Sequence, residues 1–354
     1  MPFVDAGLEL EPDGRPGSAV RRVVVDDWHQ APASEIAAAA ACAADSLPLT
    51  VGVATRQPPL RLRPLLEALT FTLVGPHLDA EADQLVRVPD PWKEYAALAE
   101  AVARRPRAAV ALWQLLRGAP PVGTLAGLAT EAATYSMLLG GEEFAAWLSA
   151  RPIPRPPAAV DADRPFVRQR RADADLSLVL DRPERRNAFG FRMREELYGA
   201  LEVAALDTTV ERVELAGEGP VFCSGGDLAE FGQARDLVAA YLVRLDRAPW
   251  RLLDRLRDRV TVRVQGAAVG AGIEMAAFAG RVIAAPQTFF ALPEMEMGLV
   301  PGAGGTVSVP RRIGRWRAAW MMVSGARIDA GTALRWGLVD AIEDTHADRG
   351  DHAA

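Results

Sequence analysis

The stretch from Val264 to Gly305, VQGAAVGAGIEMAAFAGRVIAAPQTFFALPEMEMGLVPGAGG, constrains the fold more than any other part of the chain. It sets closely spaced glycines between apolar runs and carries carboxylates with no visible partner. The alternation Val260-Thr-Val-Arg-Val264 predicts a strand, Gly266 to Gly272 a tight turn, and the Ala- and Met-rich run that follows a helix. A helix N-terminus presents unpaired N–H groups and a partial positive charge, so such a turn can hold a phosphate, a carboxylate or a developing oxyanion. Glu274 falls about one turn into that helix, among Ile273, Met275, Ala276 and Ala277. A carboxylate in apolar surroundings is expected to have a raised pKa and to serve as an acid or base. Glu294 follows in Phe289-Phe-Ala-Leu-Pro-Glu-Met-Glu-Met-Gly298, where Pro293 fixes φ and marks a strand end.

One glycine turn followed by solvent-facing glutamates would describe an ordinary strand-to-helix connection. The chain has a second such turn, Gly219-Pro-Val-Phe-Cys-Ser-Gly-Gly-Asp-Leu228, after the alternating Val210-Glu-Arg-Val-Glu-Leu-Ala216. Two backbone turns, each offering an N–H, are what an enzyme needs to grip one carbonyl oxygen from two sides.

In order and spacing, five segments resemble the successive motifs of the crotonase superfamily, the enoyl-CoA hydratases and isomerases. They are Phe222 to Leu228, Gly266 to Glu274, Pro293-Glu294, Pro301 to Thr306, and Ile328-Asp329-Ala330 through Trp336-Gly-Leu-Val339. The resemblance covers residues 174–344 and implies an α/β fold with a ββα spiral core. It further implies that the N–H groups of Gly226 and Ala271, flanked by Asp227 and Gly270, bind a thioester oxygen. Glu294 would then move a proton, and Glu274 would hold or activate the water that adds at the β-carbon. Arg185 and Arg186, in the turn Asp181 to Ala188, would meet a phosphate of coenzyme A. The expected substrate is an acyl-CoA thioester, with coenzyme A part of the substrate, no separate cofactor and no metal. The expected assembly is a homo-oligomer, a trimer or hexamer. Retaining both glutamates favours hydration of a 2-enoyl-CoA. A 3-enoyl/2-enoyl isomerase, another CoA-ester reaction such as hydrolysis, and a catalytically idle subunit of a larger assembly are the alternatives. Glu296 reads as solvated. The chain departs from the family pattern at Gly280, where an Asp often stands, at Ala229, where a Lys often meets coenzyme A, and at Arg263, inside a strand that is usually small and apolar.

Composition excludes other chemistries. None of the four histidines, His29, His77, His346 and His352, lies between Phe166 and Asp344, so that region has no Ser-His-Asp triad or His-ligated metal of its own. Lys93 is the only lysine, which removes Schiff-base chemistry there. Cys42 and Cys223 are too few for a disulfide framework, and Cys223 reads as a small half-buried filler. A net charge of −6 makes nucleic acid an unexpected partner, and with no long apolar run or leader the expected location is the cytoplasm, away from membranes.

The 354 residues predict two domains. Residues 1–157 form an α/β unit, with strands near Val23–Val25 and Leu47–Ala54, and then helices Trp92–Arg105, Ala108–Leu116 and Leu125–Leu148 with a break at Gly140-Gly141. Leu65 to Val74 fits either a helix or a buried strand. Arg151-Pro-Ile-Pro-Arg-Pro-Pro157 is a semi-rigid linker into a catalytic domain at 158–354, which opens on Arg164, Arg168, Arg170 and Arg171. Glu131, Tyr135, Phe144 and Trp147 read first as decorations of packing helices. The same helical stretch also resembles the covering helices that crotonases carry after the Gly-Leu-Val motif, so the N-terminal domain is expected to stand in for them in a permuted arrangement.

Overall fold

The structure, a computed structural model, describes residues 7–118, 123–151 and 164–344. Strands β1 (Val20–Val24), β2 (Leu49–Ala54), β3 (Phe71–Val74) and β4 (Leu85–Arg87) form a parallel sheet in that order, with α1 (Ala33–Asp45) and α2 (Arg63–Ala68) as crossovers. The stretch Leu65 to Val74 is therefore both things, a helix end and then a strand. Side chains alternate between two cores. Val23, Val74 and Leu85 pack with Ile36, Leu62 and Leu65 of the crossovers, whereas Val51, Phe71, Leu73 and Val86 face the rest of the molecule. A parallel sheet buried on both faces is the usual outcome of such connections.

Helices α3 (Pro91–Arg104), α4 (Pro106–Arg117), α5 (Thr124–Leu139) and α6 (Glu142–Ala150) follow. Asp90 caps α3 by accepting from Trp92 and Lys93 N–H, and Gly140-Gly141 separates α5 from α6. Residues 152–157 of the predicted linker, and the domain boundary placed at 157/158, lie outside the described residues.

The second half runs β5 (Val167–Ala172), β6 (Asp175–Leu180), α7 (Phe191–Leu206), β7 (Arg212–Gly217), α8 (Leu237–Asp246), α9 (Pro249–Arg255), β8 (Val260–Val264), β9 (Ala267–Val269), α10 (Ala271–Ala276), β10 (Arg281–Ala284), β11 (Phe289–Ala291), α11 (Gly305–Ser324), β12 (Ile328–Asp329), α12 (Ala330–Trp336) and β13 (Ala341–Ile342). A six-stranded sheet has the order β13-β10-β8-β7-β6-β5, parallel except for β5, and a three-stranded sheet the order β12-β11-β9. The chain steps from the large sheet to the small one twice, from β8 to β9 and from β10 to β11, which is the turn of a ββα spiral. Gly266 makes the first step with φ 65°, and a Cβ there would run into the Pro220 carbonyl oxygen.

Three arginines of the cluster, Arg168, Arg170 and Arg171, lie on the edge strand β5, and Arg164 precedes it. Its outer residues are exposed, and Arg168 pairs with Asp181 at 2.6 Å and Arg171 with Asp207 at 2.8 Å. Two departures from the family pattern also have local reasons. Arg263 is half-buried between Glu214 at 2.8 Å and Glu343 at 3.3 Å, and a Cβ on Gly280 would sit 2.5 Å from the Arg257 carbonyl oxygen.

The two halves share one core. Trp113, Leu128 and Phe144 belong to the same buried cluster as Phe222, Phe290 and Val339. Helices α3, α4 and α5 lie on α11, where Trp320 Nε1 donates to Glu94 at 2.9 Å and Arg317 pairs with Asp83 at 2.8 Å. Helix α5 also packs on α8, and α6 on the turn that carries Glu294. No helix among the described residues is long and apolar enough to cross a membrane.

Candidate active site

The two glycine turns lie side by side. Cys223 bridges Ala268 in parallel, with Cys223 N–H donating to Ala267 O at 3.2 Å and Val269 N–H to Cys223 O at 3.0 Å. A Cβ on Gly225, which has φ 96°, would come within 3.9 Å of Gly270 Cα. No acceptor among the described residues takes the N–H of Gly226 or of Ala271. Gly270 N–H is used by Ala291 O at 3.0 Å, and Gly270 adopts φ 49° and ψ −123° as it opens α10. Both turns line a cavity of about 380 Å³, together with Phe189, Phe231, Trp250 and Met297.

Glu274 and Glu294 line the same cavity. Glu274 is buried, and its Oε2 accepts from Ala303 N–H at 2.7 Å and Gly305 N–H at 2.9 Å. Its backbone is held by Ser308 Oγ, which donates to Glu274 O at 2.7 Å. Glu294 sits in a single 3₁₀ turn, Glu294–Met297. It is half-buried as a residue, but its Oε2 is wholly enclosed and has no hydrogen-bond partner. A buried carboxylate oxygen without a partner is costly when ionised, which favours the protonated acid. Burial pushes Glu294 up to about 8, and the nearby Glu131 adds to the shift. Burial and the charges of Glu294 and Glu131 push Glu274 well above the usual carboxylate range, while the Ala303 and Gly305 N–H groups pull it back. Carboxylates this close titrate as a set, with protons shared among them. Glu296 is exposed two residues along and lies outside this cavity.

The other predicted residues are placed as follows. Asp227 is buried, lines the cavity edge and caps the turn after it by accepting from Ala229 N–H at 3.0 Å. It is ion-paired with Arg182 at 2.6 Å and Arg185 at 3.4 Å; against its burial, the Ala229 N–H and then these two arginines hold it below the usual carboxylate range. Its position thus shapes the Gly225-Gly226 turn and leaves it little freedom to contact a ligand. Arg185 spends part of its charge on Asp227. Arg186 has φ 52° and gives its carbonyl to Ser224 N–H at 3.0 Å, so it too braces that turn. Cys223 is fully buried rather than half-buried, and burial pushes its thiol up to about 12. Among the described residues no three His, Cys, Asp or Glu side chains gather in a way that would hold a metal ion.

The site contains side chains whose part in it sequence reasoning did not assign. Glu131, read as a surface decoration, is buried on the inner face of α5. Its Oε1 accepts from Gly304 N–H at 2.7 Å, and its Oε2 from Thr306 N–H at 2.9 Å and Thr306 Oγ1 at 2.6 Å. Tyr135, one turn on, lies so near Gly302 that a Cβ there would be 2.5 Å from its ring, and Arg244 of α8 stacks over that ring at 4.1 Å. The available signal was the stripe Leu128, Glu131, Ala132, Tyr135, Leu138, which places an acid within the apolar face of a helix.

Comparison with known proteins finds one family over the second half of the chain. Residues 174–348 match the family described as enoyl-CoA hydratase/isomerase. Over 169 residues the chain is 36% identical to the 2,3-dehydroadipyl-CoA hydratase of Escherichia coli (strain K12), covering 47% of this chain and 65% of that protein. Over 174 residues it is 34% identical to the 1,2-epoxyphenylacetyl-CoA isomerase of the same strain, covering 48% of this chain and 66% of the relative. The chain therefore spans just under two thirds of the length of these curated relatives. The crystal structure of an enoyl-CoA hydratase from Mycobacterium smegmatis aligns with a TM-score of 0.48 at 30% identity, over 51% of this chain and 71% of that one. Through residues 174–348, this chain belongs to the enoyl-CoA hydratase/isomerase family.

Proposed function

We propose that the chain adds water to a 2-enoyl-CoA thioester, giving the 3-hydroxyacyl-CoA. The observation that supports this most is that two unengaged backbone N–H groups, of Gly226 and Ala271, line one cavity with two carboxylates of raised pKa. The thioester oxygen would accept from both N–H groups and become enolate-like as the hydroxyl adds at C3. Donors fixed for that oxygen favour the transition state over the ground state, and one is typically worth about 10²–10³ in rate. Glu274 holds the water and takes its proton, while Glu294 delivers a proton to C2, so that H and OH add across the double bond. The two acids exchange protonation states in the step, which suits a pair whose protons are shared. Coenzyme A enters only as part of the substrate, past the turn that carries Arg185 and Arg186. The rest of the reading is a cytoplasmic homo-oligomer, a trimer or hexamer.

The test is loss of absorbance of the conjugated thioester when purified protein is added to crotonyl-CoA or longer 2-enoyl-CoAs. Steady loss with formation of 3-hydroxyacyl-CoA is expected. No loss on any 2-enoyl-CoA, with conversion of 3-enoyl-CoA instead, replaces hydration by the isomerase, a term that the family's description also carries. No turnover of either thioester leaves the idle subunit.

A further inference from the structure

We propose that Glu131, supplied by α5 of the N-terminal half, is a positioning residue for Glu274 that acts through the turn Ala303–Thr306. The inference rests on the proposed hydration and deepens it by adding a residue outside the matched region 174–348.

The four successive N–H groups of that turn alternate between two carboxylates. Ala303 and Gly305 donate to Glu274, and Gly304 and Thr306 to Glu131. Gly304, at φ 92°, sets the alternation, and a Cβ there would run into the Phe278 ring and come within 3.2 Å of Leu128 of α5. The turn begins α11, so both acids sit where unpaired N–H groups and the helix dipole favour negative charge. A helix start needs only one short polar cap, and two buried acids at one terminus repel each other, so the second is not explained by capping alone. Its geometric effect is specific. With Glu131 gripping every other N–H, the turn cannot rotate, and the Ala303 and Gly305 donors stay aimed at one oxygen of Glu274. The charges that act on Glu131 are those of Glu274 of α10, Glu294 on its 3₁₀ turn and Arg244 of α8, and Thr306 of α11 bonds it directly. Burial pushes Glu131 itself up to about 7, with Thr306 and Arg244 opposing the shift.

Glu131→Gln keeps the shape but puts an NH₂ where N–H groups must donate. Expected in the purified full chain are a fall in kcat of about tenfold to hundredfold, as for a reacting group misplaced by a fraction of an ångström to one ångström, and a KM within about twofold of wild type. The pH–rate profile should move to lower pH, because the charge that raises Glu274 and Glu294 is gone, and amide exchange across residues 299–309 should accelerate. Glu131→Asp, which keeps the charge but draws it back from both N–H groups, should lower kcat without that pH shift, and it serves should Glu131→Gln not fold. A folded variant with wild-type kcat and an unmoved pH profile overturns the proposal, as does a loss of stability with kcat per folded molecule unchanged. A wild-type protein without turnover of enoyl-CoA would instead overturn the hydratase reading on which the proposal stands, so the two failures are distinct.

Discussion

Replacing Gly270 by Ala places a single methyl group between the acid Glu294 and the neighbouring glycine turn. The backbone there has φ 49° and ψ −123°, a region that residues with a Cβ occupy at a cost of about 1–3 kcal/mol. The added Cβ would overlap Glu294 Oε1 and stand 3.6 Å from Gly225 Cα. The Gly225 side is backbone in a tight turn, so the yielding partner is the Glu294 side chain, which must swing away from the cavity centre. A displacement of about 1 Å costs roughly a hundredfold in rate, and full loss of the acid about 10²–10⁴. Gly270→Ala should therefore unfold about 1–3 kcal/mol more easily in urea and lose at least about a hundredfold in kcat on crotonyl-CoA. A double-mutant cycle identifies the cause. If the methyl group acts by displacing Glu294, then adding Gly270→Ala to Glu294→Gln costs little further activity, although the loss of stability remains. Wild-type turnover in folded Gly270→Ala, or fully additive losses in the cycle, would refute the geometry.

Two further expectations concern the oxyanion turn and the layout. Ala271 is the first residue of α10, a position that tolerates proline because its N–H has no helical acceptor. Ala271→Pro should fold, yet lose about 10²–10³ in turnover as one donor disappears, and full activity would remove Ala271 from the oxyanion hole. A protein beginning at Arg164 would expose the faces of α8 and α11 that α3, α4 and α5 cover, and should aggregate in light scattering. A soluble and active 164–354 fragment would make the N-terminal half dispensable.

The sequence made the spiral core legible because its signals are local. The alternation at Val260–Val264, the glycine turns and the apolar neighbours of Glu274 all act within one strand-turn-helix unit, so the unit could be read without the rest. Strand β5 escaped that reading because an edge strand with one buried residue and charged neighbours has no apolar alternation to show. The Leu65 to Val74 stretch remained open because a short helix and a buried strand have the same apolar run, and only pairing of β3 with β2 and β4 separates them. Glu131 was the larger miss. Its partners Gly304 and Thr306 lie 173 and 175 residues away, and a glutamate on an amphipathic helix is ordinarily solvated. That part of the helical stretch 91–150 would reach the site, with Tyr135 and Leu139 of α5 in the cavity lining, was legible only from its likeness to a family's covering helices. Its carboxylate's grip on the turn that holds Glu274 depends on packing that no local pattern encodes.

The most direct test of the account compares wild type, Glu274→Gln and Glu294→Gln on 2-enoyl-CoA and 3-enoyl-CoA, with the exposed Glu296→Gln as control. Each of the first two substitutions should lower hydration by about 10²–10⁴ and the control should match wild type, because Glu274 and Glu294 line the cavity with the free N–H groups and Glu296 does not. Undiminished hydration in either Glu274→Gln or Glu294→Gln, or its loss in Glu296→Gln, would contradict the account.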